Sequence, residues 1–133
     1  MGTITDPVAD MLARIRNANT AFHERVDVPA SRVKLELAKL LKNEGFVKGF
    51  EVVDAKPRNL IRITLKYGTD RSRVINGLQR ISRPGLRIFS PKGEIPKCMG
   101  GLGLVIMSTP KGIISGRQAR RLGCGGEVMA FVW

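Results

Sequence analysis

The sequence has little of what enzymes and stapled folds rely on. It holds one histidine, His23, and two cysteines, Cys98 and Cys124, in 133 residues. The cysteines form no C-x-x-C pair, and one histidine cannot complete a zinc site with them, so no metal site and no disulfide framework is expected. Both read as small core-type residues in a reducing compartment. No run of about 18 apolar residues is present, so no membrane-spanning helix is expected. The opening MGTITDPVADML has no basic segment followed by an apolar one and does not read as a signal peptide. His23 lies in a polar stretch beside Glu24 and reads as a solvated residue, not a general base. With no serine elbow and no paired carboxylate cluster, no catalytic residue and no cofactor is expected.

Acidic residues are also scarce: 11 Asp+Glu stand against 23 Lys+Arg, a formal net charge of +12. Such an excess points to a polyanionic partner, with nucleic acid the leading candidate. Five Phe, one Tyr and one Trp are few for a protein that stacks successive single-stranded bases. The composition therefore favours folded, helical nucleic acid read through shape, backbone and hydroxyl contacts. Residues 1–67 carry twelve basic and eight acidic side chains; residues 68–133 carry eleven basic and only Asp70, Glu94 and Glu127 as acids. The second stretch is thus the better candidate for the polyanion contact.

Hydrophobic spacing predicts an α+β protein of two lobes. The first lobe, residues 1–67, reads as α-β-α-β-β. Thr5-Asp6-Pro7 suits a capped helix start, and Val8, Met11, Leu12, Ile15 and Ala18 make one apolar stripe with Asp10, Arg14 and Asn17 opposite. Residues 22–28 suit a short strand. A second helix follows with Ser31 as its cap, a stripe of Val33, Leu37, Leu40 and Leu41, and Gly45 behind it. Strands are expected over 46–53 and 60–67, with 54–59 as the turn. Gly68-Thr69-Asp70 is the candidate boundary. The second lobe, residues 68–133, is expected to be mostly β with one short helix from Ser115 to Leu122. Residues 72–81, readable as helix or strand, are expected to be a strand, as are 86–90 after the Ser82-Arg83-Pro84-Gly85 turn, 102–107 and 127–133.

Two turns in that lobe carry candidate chemistry. Ser108-Thr109-Pro110-Lys111-Gly112 leaves a strand and leads toward the helix; small hydroxyls, a lysine and a glycine suit close approach to phosphates and base edges. Taken alone, it reads more readily as an ordinary strand-to-helix turn. Gly123-Cys124-Gly125-Gly126-Glu127 either sets Glu127 beside the first loop or is a helix stop with a tight turn. The helix between them carries Arg117, Arg120 and Arg121, a phosphate-contacting or merely solvated face. Arg83, Arg87 and Lys92 straddle the other turn and either track a phosphate backbone or guard a sheet edge.

In order and spacing, a set of short segments resembles the bacterial small-subunit ribosomal protein eight family along nearly the whole chain. The segments are Asp6-Pro7-Val8-Ala9-Asp10-Met11-Leu12, Arg14-Ile15-Arg16-Asn17-Ala18, Val28-Pro29-Ala30-Ser31, Asn43-Glu44-Gly45-Phe46, Leu65-Lys66-Tyr67, Ser82-Arg83-Pro84-Gly85-Leu86-Arg87, Gly100-Gly101-Leu102-Gly103, Ser108-Thr109-x-x-Gly112 and Gly125-Gly126-Glu127. The resemblance implies a two-lobe α+β protein of the small ribosomal subunit that binds the central domain of 16S ribosomal RNA early in assembly. It maps an RNA-binding loop onto Ser108, Thr109 and Lys111 and a second turn onto Gly125, Gly126 and Glu127. It maps a further RNA-facing surface onto Asp6, Arg14 and Asn17. It also implies small-subunit proteins five and twelve as neighbours and, in some members, repression of the protein's own messenger RNA. Two positions depart from the pattern: Pro110 stands where a third hydroxyl is usual, and Gly116 where an acid follows the helix cap.

The expectation is a structural, non-enzymatic RNA-binding protein of the ribosome, in a bacterial cytoplasm or a plastid stroma. Ser108, Thr109, Lys111, Gly112, Gly125, Gly126 and Glu127 are its candidate RNA contacts in the second lobe, joined by Arg87 and Arg117. Asp6, Arg14 and Asn17 are those in the first. No membrane and no small-molecule substrate is expected. The alternatives are a free messenger-RNA-binding translational repressor and, against the scarcity of His and acids, a nuclease-like enzyme.

Overall fold

The computed structural model describes residues 6–133. The expected share of Thr5 in the first helix cap lies outside them. The chain is α+β and divides into two compact units: residues 10–76, and residues 6–9 with Gly77–Trp133. The Gly68-Thr69-Asp70 signal predicts a boundary at 67/68; the contacts set it after Asn76.

Helix α1 spans Pro7–Thr20. Asp6 Oδ1 accepts the Ala9 N–H at 3.2 Å, and Pro7 sits in the first turn, where its missing N–H costs nothing. The stripe of Val8, Met11, Leu12, Ile15 and Ala18 is buried as expected.

Strand β1 is Arg25–Pro29, shorter and later than expected, because Phe22 takes a left-handed backbone (φ 57°) that no strand accommodates. Helix α2, Arg32–Asn43, begins at Ser31, whose side chain accepts from the Lys34 N–H. Its buried face runs through Lys34, Leu37, Ala38, Leu40 and Leu41, whereas Val33, expected in the stripe, is 41% exposed. Lys34 lies three residues before Leu37 and seven before Leu41, so its alkyl stem lines up with them. Burial lowers the Lys34 pKa, and the nearby Asp10 charge opposes that. Strands β2 (Val47–Val53) and β3 (Leu60–Leu65) complete an antiparallel sheet of order β1-β3-β2. Ile61, Ile63 and Leu65 point into the core.

Residues after β3 stay with this unit through side chains. Arg73 donates to the Asn19 and Thr20 carbonyls at the end of α1, and Asn19 Nδ2 donates to the Ile75 carbonyl at 2.8 Å.

The second unit is a five-stranded antiparallel sheet. Strand β8 (Gly126–Val132) pairs with β6 (Leu104–Thr109) on one side. On the other side β8 pairs with β4 (Leu78–Arg80) near its end and with β5 (Phe89–Ser90) near its start. Both strands are shorter than expected: residues 72–77 stay outside the sheet, and the Ser82–Leu86 turn, closed backbone to backbone by Arg83 and Leu86, separates β4 from β5.

Strand β7 (Gly112–Ser115) folds back on β6. The segment expected to run from strand to helix is thus first a hairpin. A 3-10 turn at Met99–Gly101 precedes β6. Helix α3, Gly116–Leu122, is capped by Ser115, which accepts the Gln118 N–H, and ends at Gly123 in the left-handed region (φ 70°). Ala119 of α3 joins Ile95, Cys98, Val105, Met107, Ile114 and Val128 in the core. Among the described residues no helix is long and apolar enough to cross a membrane.

Candidate nucleic-acid interface

The two turns singled out in the sequence meet at one end of the five-stranded sheet. Ser108 of β6 is the direct partner of Glu127 in β8, and Phe89 of β5 partners Glu127 from the other side. Side chains of directly opposed residues share a face. Met107 and Val128, their neighbours in sequence, point the other way into the core. Phe89, Glu127 and Ser108 therefore form one row on the face away from that core. The row is possible because of Gly125 and Gly126. A Cβ on Gly126 would run into the Ser108 carbonyl oxygen, and one on Gly125 into the Ser90 carbonyl oxygen. Any larger residue would push the strands apart here.

Glu127 is held from two sides. Ser82 Oγ and Arg87 Nη1 both donate to Oε2, the latter at 2.9 Å. Ser82 Oγ also accepts the Ile88 N–H, so the fully buried hydroxyl ties the β4–β5 turn to the carboxylate. Burial alone would raise the Glu127 pKa; the hydrogen bonds from Ser82 and Arg87 and the charges of Arg87 and Arg80 outweigh it and hold the carboxyl below its usual range. Glu127 is thus ionised at neutral pH, in a site whose other charged members are cations.

Pro110 and Lys111 are the two central residues of the β6–β7 hairpin, between the partners Thr109 and Gly112. The Thr109 hydroxyl closes the turn: it donates to the Gly112 carbonyl at 2.9 Å and accepts the Lys111 N–H at 3.1 Å. Its proton is spent inside the protein, which leaves it only as an acceptor toward a ligand. Ser108, half-buried beside it, has no such commitment. Pro110 and Lys111 are exposed, so the missing third hydroxyl falls at the tip of the turn, where proline needs no N–H partner.

Helix α3 does not join this row. Ala119 packs on the core face, opposite Glu127. Arg117 donates to the Gly101 carbonyl and Arg120 to the Ile95 carbonyl, so these two arginines also fasten the 95–101 segment. The absence of an acid after the cap has a packing cause: Gly116 is buried, and a Cβ there would meet Val105 and Ile95 at 3.0–3.1 Å.

The first-lobe candidates divide. Asp6 forms a two-pronged pair with Arg80, Nε to Oδ2 at 3.0 Å and Nη2 to Oδ1 at 3.3 Å, and Arg80 also donates to the Met129 carbonyl. Both side chains are largely buried. Burial raises the Asp6 pKa, but the Arg80 hydrogen bonds and the helix N–H groups hold it below its usual range. Asp6 is therefore bound up in the fold. Arg14 and Asn17 are exposed on α1; Arg14 pairs with Asp10 at 2.9 Å and reaches the Asp27 carbonyl at 3.3 Å.

Two members of the site went unnoticed in the sequence. Phe89 is 68% exposed beside Glu127. Alternation in 86–90 already puts it on the same face as Arg87, and an aromatic there, in a chain poor in aromatics, was the available signal. In the sequence Ser82 reads only as part of a turn; nothing local marks it as the support of a carboxylate 45 residues away.

The family model for ribosomal protein S8 matches residues 6–133. The chain is 57% identical over 130 residues to the small ribosomal subunit protein uS8 of Desulforudis audaxviator (strain MP104C), covering 98% of this chain and 99% of that one. It is 53% identical to the proteins of the same name from Moorella thermoacetica, over 98% of this chain and all of that one, and from Alkaliphilus oremlandii, over 98% and 99%. These relatives are structural, not catalytic, and the nuclease alternative has no footing beside them. Matched from Asp6 to Trp133 and more than half identical to such relatives, this chain belongs to the ribosomal protein S8 family.

Proposed function

We propose that the chain is a structural protein of the small ribosomal subunit that binds the central domain of 16S ribosomal RNA directly and supports its assembly. The observation that carries this reading is the meeting of Ser108-Thr109 with Gly125-Gly126-Glu127 in one row with Phe89. A rigid carboxylate can accept base amino groups, a hydroxyl can meet a base edge or a ribose, and an aromatic face can stack an unpaired base. Lys111 and Gly112 at the hairpin, with Arg87 beside Glu127, supply charge and close approach to phosphates. Thr109 works chiefly by holding the hairpin. Arg117 adds generic charge from the other face of the sheet. Arg14 and Asn17 offer a second RNA-facing surface, and Asp6 serves by fixing Arg80 and the start of α1. Small-subunit proteins five and twelve are the neighbours in the assembled subunit, and the setting is the bacterial cytoplasm.

The test is a titration against a central-domain 16S RNA fragment and a length-matched unrelated duplex at two salt concentrations. A preference for the fragment of about 10³-fold or more that survives higher salt is expected. Equal affinities that collapse together with salt would leave only the +12 charge as the cause of binding.

A further inference from the structure

In the 10–76 unit, the α1–β1 loop and the loop after β3 meet in a site that the reading above does not use. Phe22 and Tyr67 pack ring to ring there, with centroids 5.5 Å apart and planes at 38°. Two arginines approach the same ring: the Arg73 guanidinium carbon lies 4.1 Å and that of Arg71 5.4 Å from the Phe22 centroid. Phe22 and Arg71 both have left-handed backbones, φ 57° and 65°. Bulky residues adopt that region only where the surrounding structure forces them. Here it does. The His23 N–H donates to the Ala18 carbonyl at 2.8 Å, and the Tyr67 hydroxyl to the His23 carbonyl at 2.6 Å. On the other loop, the Gly68 N–H donates to the Ser72 carbonyl at 2.8 Å and the Arg71 N–H to the Gly68 carbonyl at 2.9 Å. The strain thus keeps a phenylalanine at the surface, 37% exposed, in a chain with few aromatics to spare.

The two arginines differ. Arg73 is consumed by the Asn19 and Thr20 carbonyls. Arg71 touches the ring, and among the described residues no carboxylate pairs with it. Its neighbour Asp70 is turned to Ser72, accepting that residue's N–H at 3.1 Å. Phe22, Tyr67, Gly68 and Arg71 enclose a notch of about 140 Å³. That space suits one ring system and is far too small for a nucleic-acid helix.

We propose that this notch binds a single nucleotide extruded from an irregular RNA helix, its base against the Phe22–Tyr67 pair and its phosphate on the Arg71 guanidinium. Unpaired bases stack on aromatic rings and arginine planes, and arginine is suited to phosphate. An acidic peptide would use the cation but has no need of the two rings. The proposal rests on the RNA-binding reading and assigns it a second, separate contact.

The experiment uses the full chain and two RNA hairpins, one fully paired and one with a single bulged 2-aminopurine. The expected result is tighter binding of the bulged hairpin with quenching of its fluorescence. Phe22→Asn, which suits a left-handed backbone and so preserves the fold, should weaken the bulged complex by roughly tenfold and abolish the quenching. Arg71→Gln should weaken it by several-fold, and Arg58→Gln, the same loss of charge at an exposed position in the turn between β2 and β3, should leave the bulge preference intact. If the preference survives Phe22→Asn and Arg71→Gln, or falls as far in Arg58→Gln as in Arg71→Gln, the notch is overturned while the RNA-binding reading stands. Displacement of the probe by polyglutamate as readily as by unlabelled bulged RNA overturns it too, since only charge would then be read. Failure to bind either hairpin or the central-domain fragment overturns both.

Discussion

Divided where the compact units divide, the two parts of the chain carry the same net charge. Residues 10–76 hold fourteen basic and eight acidic side chains; residues 1–9 with 77–133 hold nine and three. The asymmetry between 1–67 and 68–133 comes from where the chain is divided: that division sets Arg71, Arg73 and Asp70 with the second part and Asp6 with the first. The units differ in how charge is arranged. In the first, acids neutralise neighbours along exposed faces: Asp10 takes Arg14, and Asp27 takes Arg62 in two hydrogen bonds. In the second, two of the three acids are partly or largely buried, and each organises a backbone around itself: Asp6 with Arg80, and Glu127 with Ser82 and Arg87. Net charge is the same in the two units; the arrangement of that charge is what tells them apart.

That contrast can be broken most forcefully at Arg80. Replacing it with alanine strands the largely buried Asp6 carboxylate and should cost about 2–4 kcal/mol of stability by denaturant titration. The same change at the more exposed Arg62 should cost much less, because solvent screens its pair with Asp27. Equal losses would erase the distinction between the units.

Gly126→Ala comes next. The added methyl meets the Ser108 carbonyl oxygen, and a loss of about 1–3 kcal/mol is expected, with cognate RNA affinity falling alongside it. A variant of wild-type stability and affinity would mean that the strands separate at no cost.

Glu127→Gln should lose about 1–3 kcal/mol of preference for the cognate fragment over a random duplex. It should also change the acid limb of stability. Asp6 and Glu127 both have depressed pKa values when folded, so the unfolded chain binds more protons at mildly acidic pH. Their contribution is complete above the unfolded carboxyl pKa values near 4 and is lost as pH falls through the lower folded values. The variant should show a shallower decline below about pH 4, measured by thermal melting across pH; an unchanged acid limb would mean that Glu127 adds nothing.

The smallest effect is expected at Lys111→Ala. It should weaken cognate and random RNA alike and reduce the salt slope by about one. A loss confined to the cognate fragment would move Lys111 from charge to recognition.

What was legible in the sequence was what neighbouring residues decide. Ser31 and Ser115 announce their helices because a cap acts within three residues, and β3 shows its buried face by alternation. What was not legible depends on distant partners. Strands β4 and β5 are short because β8 selects which residues pair. The stretch after residue 67 belongs to the first unit because Arg73 and Ile75 reach back more than fifty residues to Asn19. Ser108 to Gly112 reads as well toward a helix as into a hairpin; the register of β7 on β6 decides it. The candidate loops stand out by residue type and again by the family pattern, but the difference within the first, with the Thr109 hydroxyl closing the hairpin and Ser108 paired with Glu127, appears only in the fold.

The position of β8 in chain order has a consequence for synthesis. Every strand of the sheet in the 10–76 unit has been made by Leu65, so that unit can complete its sheet while the remainder is still being translated. The other sheet cannot close until Gly126–Val132 emerges, since β8 lies between β6 and the β4–β5 edge and is made after all of them. Ser108 waits for Glu127 in the same way. A nascent chain therefore acquires most of its positive charge early and the Ser108–Glu127 pairing last, and a chain released before β8 would carry the charge without that row.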